Sequence, residues 1–354
     1  MAAAVSEDIW AEQDTDPDAI EAAMRRLLRE RHGANEGLAP ARVLNLVVVV
    51  DREWKGEIAN RLERAGRYHG SRTVLCAVEA GRTTLDAVAT ISYADPGAGR
   101  MGVMREHVEI DCGPEHLHAL QTIVDPVLAS EMPTVVWSPH GHEEAVRALL
   151  PLIDVMLLDS DDLSEPAEAL GRAHELRDHV YVVDLAWLRT TPWRERLAAS
   201  FDPPTRLAGL RRIAELEVRH QRTSTASGLL LAGWLASRLG WEIEPLRDQA
   251  GGLEGTARRD HGEVELRLRT THQEAPGLAG VTVCGERGTS LSLQRGLGGL
   301  DARETILDGA PREWKVLGAS RGEGGILGEG VRQALLRDPT YGSALTAARG
   351  LCPV

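Results

Sequence analysis

The most constraining feature of this sequence is an apolar run near the N-terminus, LNLVVVV over residues 44–50, which ends at Asp51. Four consecutive valines favour a strand, because branching at Cβ suits the pleated sheet better than a helix. A strand that lacks polar alternation is typical of a parallel sheet covered by helices on both faces. The run therefore predicts a central strand of an α/β domain.

Strand-like and helix-like segments alternate beyond this run, which favours a parallel sheet with flanking helices. Strands are predicted at 73–78, 134–137, 154–158 and 180–185, and helices at 54–65, 114–128, 143–150, 166–176 and 187–201. Residues 85–93 and 107–112 show the alternation of an antiparallel pair. The first part of the chain is therefore expected to form an N-terminal α/β domain with a mixed, largely parallel sheet.

The pattern changes after Asp202-Pro203-Pro204. An almost wholly apolar helix is predicted over 227–239, and such a helix must be buried. Alternating strands are predicted at 211–220, 263–269, 281–285 and 291–294, followed by helices at 326–337 and after Pro339. This pattern predicts a smaller α+β domain with antiparallel strands, and it divides the chain into domains at 17–200 and 201–354.

The N-terminal segment is strongly acidic, with seven acidic residues and no Lys or Arg among residues 1–21. Self-repelling charge with few apolar residues predicts a disordered, dispensable tail over residues 1–16. Ile9-Trp10 is the apolar exception and a candidate docking element.

The net charge of −13 gives no electrostatic basis for binding nucleic acid or an anionic membrane. No secretory signal is visible, and the most apolar stretch, residues 226–239, is too short to span a bilayer. Four scattered cysteines without a CxxC motif suit a reducing compartment. We therefore expect a cytoplasmic protein.

The sequence carries no complete motif for catalysis or for binding a nucleotide cofactor. The first strand continues into Asp51-Arg52-Glu53-Trp54, where a dinucleotide fold would carry GxGxxG, and no P-loop motif is present. Residues 318–322 match the GxSxG nucleophile elbow at Ser320, but no histidine follows, as that hydrolase order requires. We therefore expect no catalytic residues and no cofactor.

Metal and phosphate motifs are equally weak. The pairs His116/His118 and His140/His142 lack further ligands, so no metal site is expected. The glycine-rich segment 322–330 fits either a phosphate cradle or, more simply, a loop that leads into a helix.

Two clusters remain as candidate binding sites. His69, Ser71 and Arg72 lie between a helix and a strand, and they either hold a phosphate or carboxylate or merely brace the loop. A second cluster follows the strand that ends near Asp184 and comprises Trp187, Arg189, Trp193 and Arg194. Tryptophan and arginine dominate protein interfaces, but buried tryptophans between domains would look the same. We expect the tryptophans to brace the domain junction and both arginines to face outward.

Five segments occur in order along the chain: RVLNLVVVV at 42–50, HGSRT at 69–73, LASEMPTVVW at 128–137, DLAWLRTTPWR at 184–194 and LLLAGWLASRLGW at 229–241. Together they resemble one known family, OpcA, the glucose-6-phosphate dehydrogenase assembly protein. The resemblance implies a non-enzymatic partner that assembles and allosterically activates glucose-6-phosphate dehydrogenase, and so supports NADPH production in the oxidative pentose phosphate pathway. The alternative from the residues themselves is an α/β enzyme or sensor that binds a sugar phosphate or nucleotide at the mouth of the parallel sheet.

Overall fold

Two nine-stranded sheets organise the chain in a computed structural model that describes residues 5–34, 38–40, 42–65, 70–94, 102–139, 141–306, 309–317 and 322–353. One unit comprises Met1–Leu158, His179–Val183 and Leu327–Leu336. The other comprises Asp159–Asp178, Asp184–Ile326 and Arg337–Val354. Each sheet belongs chiefly to one unit, so the two are described separately.

The first sheet and its helices come from the N-terminal half of the chain. Its strands are β1 (Val5–Glu12), β2 (Leu38–Pro40), β3 (Leu44–Asp51), β4 (Ser71–Val78), β5 (Asp86–Ala94), β6 (Gly102–Cys112), β7 (Thr134–Trp137), β8 (Val155–Leu158) and β9 (Tyr181–Asp184). The helices of this region are α1 (Pro17–Ala34), α2 (Lys55–Ala65), α3 (Leu120–Val124, between two 3-10 turns) and α4 (Glu143–Leu149).

The strands of the first sheet lie in the order β1-β5-β6-β4-β3-β7-β8-β9, with β2 added beside β6. The strand β3 is fully buried from Leu44 to Val50 and pairs in parallel with β4 and β7. When the adjacent strands β6, β4, β3, β7, β8 and β9 are renumbered from 1 to 6 in chain order, their order across the sheet is 3-2-1-4-5-6. This is the doubly wound order of dinucleotide-binding sheets. The predicted mixed, largely parallel sheet is confirmed, and so is the antiparallel β5–β6 pair.

The acidic N-terminus departs from prediction, because residues 5–12 form a strand rather than part of a disordered tail. The strand β1 pairs antiparallel with β5 from Val5↔Ala94 to Glu12↔Ala87. Asp8 binds Arg31 of α1 at 2.5 Å, and the Arg31 guanidinium lies 4.2 Å from the centre of the Tyr93 ring. The edge of β5 thus supplies backbone hydrogen-bond partners for residues 5–12. Arg31 of α1 neutralises the charge of Asp8, one of the acidic residues that would otherwise repel each other.

The second sheet and its helices follow. The helices are α5 (Pro166–Leu176), α6 (Leu185–Phe201), α7 (Pro204–Leu210), α8 (Thr225–Leu239) and α10 (Tyr341–Leu351). A further helix, α9 (Gly322–Gln333), belongs to the second unit up to Ile326 and to the first unit from Leu327. The strands are β10 (Ile213–Gln221), β11 (Glu242–Ile243), β12 (Arg247–Gln249), β13 (Gly252–Arg259), β14 (Gly262–Thr271), β15 (Leu278–Gly285), β16 (Ser290–Gly296), β17 (Gly299–Thr305) and β18 (Arg312–Leu317).

This second sheet has the order β11-β13-β14-β10-β15-β16-β17-β18, with β12 beside β13. The pair β10–β14 is parallel, and the other recorded pairs are antiparallel, as the predicted α+β pattern requires. The buried helix α8 packs against β10, β14 and the helices α5, α6 and α10. Because α8 is apolar on every side, it needs helical cover in addition to the sheet.

That need for cover explains why the compact units differ from the predicted domains at 17–200 and 201–354. The helices α5 and α6 precede residue 201 but belong to the second unit with α8. Among the described residues, every apolar helix falls short of the length and hydropathy that crossing a membrane requires.

Candidate functional site

Ligands of doubly wound sheets bind at the carboxyl ends of the strands, where the strand order reverses. Here that point lies between β3 and β7, and the chain leaves β3 through a 3-10 turn over Arg52–Trp54 into α2. The cations in this region already have partners. Lys55 Nζ lies 2.7 Å from both Asp111 Oδ1 and Glu109 Oε2, and Arg52 Nη1 lies 2.9 Å from Asp111 Oδ2.

The electrostatics of this turn oppose a dinucleotide. The hydrogen bond from His107, aided by Lys55, lowers the pKa of Glu109 to about 2 despite partial burial. His142 has a left-handed backbone, with φ of 55°, and its Nε2 lies 3.2 Å from Asp51 Oδ1. Backbone amides at a helix N-terminus favour an anion, but a pyrophosphate also needs glycines for close approach. The turn after β3 lacks these glycines and its cations are paired with carboxylates, so these residues do not fit a dinucleotide.

The first predicted cluster is bound into the sheet. His69 lies outside the described residues. Ser71 begins β4, and its Oγ lies 3.2 Å from Thr73 Oγ1. Arg72 is buried and donates from Nε to Glu106 Oε2 at 2.6 Å and from Nη1 to the Val127 carbonyl at 2.9 Å. The Arg72 guanidinium thus braces β4 against β6 and is not free to receive a phosphate.

A cleft of about 370 Å³ lies beside Ser71, above β4, β5 and β6. Its lining mixes hydroxyls with charges of both signs, including Ser71, Thr73, Thr90, Arg105, His107 and Glu109. The acidic side chains in this lining disfavour a phosphorylated ligand.

The second predicted cluster is internal. Trp187 and Trp193 are 2% and 1% exposed, and both lie on α6. The Arg194 guanidinium stacks 3.4 Å from the centre of the Trp187 ring and donates to Thr190 and Thr191. The Trp187 Nε1–H donates to Asp338 Oδ2 at 2.9 Å. These tryptophans brace the interior of the second unit.

The expectation that Arg189 and Arg194 face outward is wrong, because only 8% and 11% of their side chains are exposed. Arg189 donates from Nη1 and Nη2 to the two carboxylate oxygens of Asp159, at 2.7 and 2.6 Å. Its Nη2 also donates to Glu323 Oε2 at 2.6 Å. The Arg189 guanidinium is stable in the interior because it pairs with two carboxylates, and a buried charge is stable only when it is paired.

A further buried carboxylate lies beside this pair. Ser227, in the first turn of α8, donates from its backbone N–H to Asp161 Oδ1 at 3.0 Å and from its hydroxyl to Oδ2 at 2.6 Å. Asp184 caps α6 by accepting from the Ala186 N–H at 3.0 Å, and it also accepts from the Tyr341 hydroxyl at 3.0 Å. The cluster of Asp159, Asp161, Asp184 and Arg189, together with Glu323, whose side chain is 38% exposed, is called the buried charge cluster below.

Burial shifts the acidity of this cluster. It raises the pKa of Asp161 to about 7, with a further contribution from Asp159, and raises the pKa of Asp184 to about 6. Perturbed carboxyls mark catalytic sites in many enzymes. Here, however, their oxygens are occupied by internal donors from α6, α8 and α10, so the arrangement supports a structural role.

One feature of the sequence could have indicated the acidic part of this cluster. Asp159, Asp161 and Asp162 directly follow the buried strand β8, and several carboxylates beside a buried element require a cation. Glu323 lies in the glycine-rich segment, which forms the helix α9 instead of a phosphate loop. Ser320 and His140 lie outside the described residues. Within the described ranges, no group of three His, Cys, Asp or Glu side chains is arranged for a metal ion.

Solved structures offer only distant likeness. The super-repressor mutant of Gal80p from Saccharomyces cerevisiae has a TM-score of 0.46 at 9% identity, over 83% of each chain. The apo scyllo-inositol dehydrogenase from Lactobacillus casei has a TM-score of 0.43 at 11% identity, over 88% of this chain and 96% of that one. Neither similarity is close enough to bear on activity.

The sequence comparisons are more specific. Relatives named OxPP cycle protein OpcA are 31% identical over 171 residues in Synechococcus elongatus and 25% identical over 217 residues in Nostoc punctiforme. These matches cover 47% and 53% of this chain but only 37% and 46% of the relatives' own length. Residues 62–175 match the family described as the glucose-6-phosphate dehydrogenase subunit N-terminal domain, and residues 180–345 match the corresponding C-terminal domain. The chain belongs to the OpcA family.

Proposed function

We propose that this chain is a non-enzymatic partner of glucose-6-phosphate dehydrogenase that promotes its oligomeric assembly and raises its activity in the cytoplasm. One observation carries the proposal: both domain families, each described as part of a glucose-6-phosphate dehydrogenase subunit, match in order over 62–175 and 180–345. The physiological output would be NADPH from the oxidative pentose phosphate pathway.

The geometry of the first unit supports a non-catalytic role. A dehydrogenase of this strand order needs backbone amides for the pyrophosphate at the turn after β3. Here the turn is Asp51-Arg52-Glu53-Trp54, and Lys55 is held by two carboxylates of β6. The buried charge cluster likewise pairs its groups internally and leaves none poised for a substrate.

The mechanism we propose is differential binding. A partner shifts an equilibrium only by as much as it prefers one state of the dehydrogenase to another. A tenfold rise in the population of the active oligomer requires about 1.4 kcal/mol of such preference. A few well-packed anchors at an interface supply this amount.

The test mixes the purified chain with the glucose-6-phosphate dehydrogenase of the same organism. We expect co-elution at a defined mass in light scattering and a rise in NADPH formation that saturates with added chain. A melting shift with glucose-6-phosphate or a nucleotide, in the absence of the dehydrogenase, would instead support the alternative of a ligand-binding enzyme or sensor. The absence of both co-elution and activation would refute the proposal.

A further inference from the structure

One face of the second sheet carries a regular array of polar side chains. Along β10, Leu216 and Val218 are fully buried on the face that packs against α8. Glu217 and Arg219 alternate with them and are about one-third exposed, at 32% and 33%. These side chains lie on the second face of the sheet, which we call the outer face.

The strand register aligns the outer-face residues into rows that cross the sheet. The middle row contains, from β13 to β18, Glu254, Arg267, Glu217, Thr282, Ser292, Arg303 and Glu313. The neighbouring row contains, from β14 to β18, Arg269, Arg219, Gly280, Gln294, Asp301 and Lys315. Charged side chains therefore flank an uncharged centre.

The centre of the outer face is a strip of small residues on β15 and β16. Its members are Gly280, Thr282, Cys284, Ser290 and Ser292, and the Thr282 and Ser292 hydroxyls lie 3.0 Å apart. The Arg219 guanidinium lies over Gly280, so the short side chains that let a second sheet approach to about 10 Å are those of the other four residues.

The outer face is also nearly neutral, although the chain carries a net charge of −13. Its acidic residues are Glu215, Glu217, Glu242, Glu254, Glu263, Glu265, Asp301 and Glu313, and its basic residues are Arg219, Arg247, Arg258, Arg267, Arg269, Arg303 and Lys315. Two molecules of the same strongly negative protein repel each other least through a surface of this kind.

We propose that a second copy of this chain binds the outer face, with the two-fold axis along the seam between β15 and β16. A two-fold axis parallel to the strands brings β16 opposite β15, β17 opposite β10 and β18 opposite β14 of the other copy. The small residues then meet at the axis. The sheets pack in the aligned manner of a β-sandwich.

Charge complementarity favours this axis, and the same side chains also form ion pairs within their own sheet, such as Arg267 with Glu215 and Lys315 with Asp301. Across the seam, Glu217 meets Arg303 of the second copy. In the same way Arg267 meets Glu313, and Arg219 meets Asp301. Each contact occurs twice by symmetry. One like-charge pair, Arg269 with Lys315, lies at the rim, where solvent screens it.

A neighbouring choice of axis fails the same criterion. Centring the axis on β15 itself would bring Arg267 opposite Arg303 and Glu254 opposite Glu313.

The six overlapping strands of the proposed dimer, at about 4.8 Å spacing, give a contact roughly 30 Å wide. This width suits the roughly 800 Å² per partner of a standard interface.

The test does not depend on the dehydrogenase, so its failure is distinguishable from failure of the proposed function. We expect light scattering of the purified full chain to give twice its mass of 38.4 kDa. Arg303→Glu places two acidic side chains opposite each other and should weaken the dimer at least tenfold, as should Glu217→Arg. The double variant Glu217→Arg/Arg303→Glu restores opposite charges and should restore the dimer.

Arg258→Glu is the matched control, because Arg258 lies on the same face but on β13, outside the overlapping strands. It should leave the dissociation constant unchanged, and melting curves check that every variant is folded. A monomer at 100 µM, insensitivity to Arg303→Glu, or a double variant without rescue would each overturn the proposal. It is also overturned if the chain is monomeric and Arg303→Glu abolishes only dehydrogenase binding, which would assign the face to that partner.

Discussion

Arg189 and Asp159 form a two-pronged ion pair inside the second unit, with 8% and 6% of their side chains exposed. The pair joins α6 to the segment that follows β8. Planar guanidinium and carboxylate groups match in this geometry, which fixes orientation as well as charge. An arginine next to two tryptophans, which in sequence resembles an interface anchor, is thus an internal tie.

We expect Arg189→Met to destabilise the fold by about 3–5 kcal/mol, because it leaves Asp159 buried without its cation. Urea denaturation measures the effect. Arg222→Met is the control, since Arg222 is exposed in the same unit, and should change stability by less than about 0.5 kcal/mol. Unchanged stability with lost dehydrogenase activation would return Arg189 to a docking role.

Trp193 should behave as a core residue, because it is 1% exposed on α6. Truncation by Trp193→Ala is expected to cost about 3–5 kcal/mol, since the cavity collapses only in part. Trp54 is 41% exposed, and Trp54→Ala should cost far less in the same denaturation experiment. Equal effects of the two substitutions would contradict the buried assignment.

Continuous or strongly periodic patterns made most of the fold predictable. The valine run identified β3, and the apolar stretch near residue 230 identified α8, because each leaves few alternatives to full burial. The strands β13, β17 and β18 were missed. They are rich in charge or glycine, and pairing with their neighbours determines their structure. The strand β1 was missed for a related reason, since the free edge of β5 overrides its acidic composition.

The site was less predictable because its contacts are distant in sequence. Arg189 lies 30 residues from Asp159 and 134 from Glu323. The residue types at 187–194 suit a surface anchor and a core equally, and only the fold decides between them. Arg72 is similar, since its partner Glu106 lies 34 residues away on β6, whose pairing with β4 the sequence does not specify.

The buried aspartates predict a pH dependence. Their folded pKa values, about 7 for Asp161 and about 6 for Asp184, lie above the ordinary aspartate value of 3.8. The native chain therefore binds more protons than the unfolded chain between about pH 4 and 7, and this contribution to stability falls as pH rises. Asp184→Asn, which imitates the protonated form, should flatten the profile between about pH 4 and 6.

Asp338→Asn is the control for that profile. The pKa of Asp338 is lowered by hydrogen bonds from Thr340 and Trp187 despite partial burial. Its titration lies below the window, so the substitution should leave the slope between pH 4 and 6 unchanged. The difference between the wild-type and Asp184→Asn stability profiles should fall between about pH 4 and 6. A flat difference would contradict the raised pKa of Asp184.

Deleting residues 1–12 should lower the melting temperature of the first unit, because it removes the whole β1–β5 ladder and the Asp8–Arg31 pair. Deleting residues 1–4 leaves both in place and serves as the control. Hydrogen exchange of the β5 amides provides a local readout, since β5 would become an edge strand. Equal melting temperatures and equal protection would support the dispensable tail that the composition suggested.

The crossing of α8 and α10 depends on one glycine. A Cβ at Gly233 would lie 2.5 Å from both the Ala344 carbonyl oxygen and the Ala348 backbone nitrogen, and backbone atoms cannot rotate away. Gly233→Ala should therefore separate the two helices and cost about 1–3 kcal/mol, although alanine is the better helix former. Gly171 in α5 is the matched control, because no atom lies within 4 Å of its virtual Cβ. Gly171→Ala should stabilise the protein by about 0.5–1 kcal/mol through helix propensity alone. Opposite signs for the two substitutions in urea denaturation are the expected result, and a stabilising Gly233→Ala would show that the helices do not approach this closely.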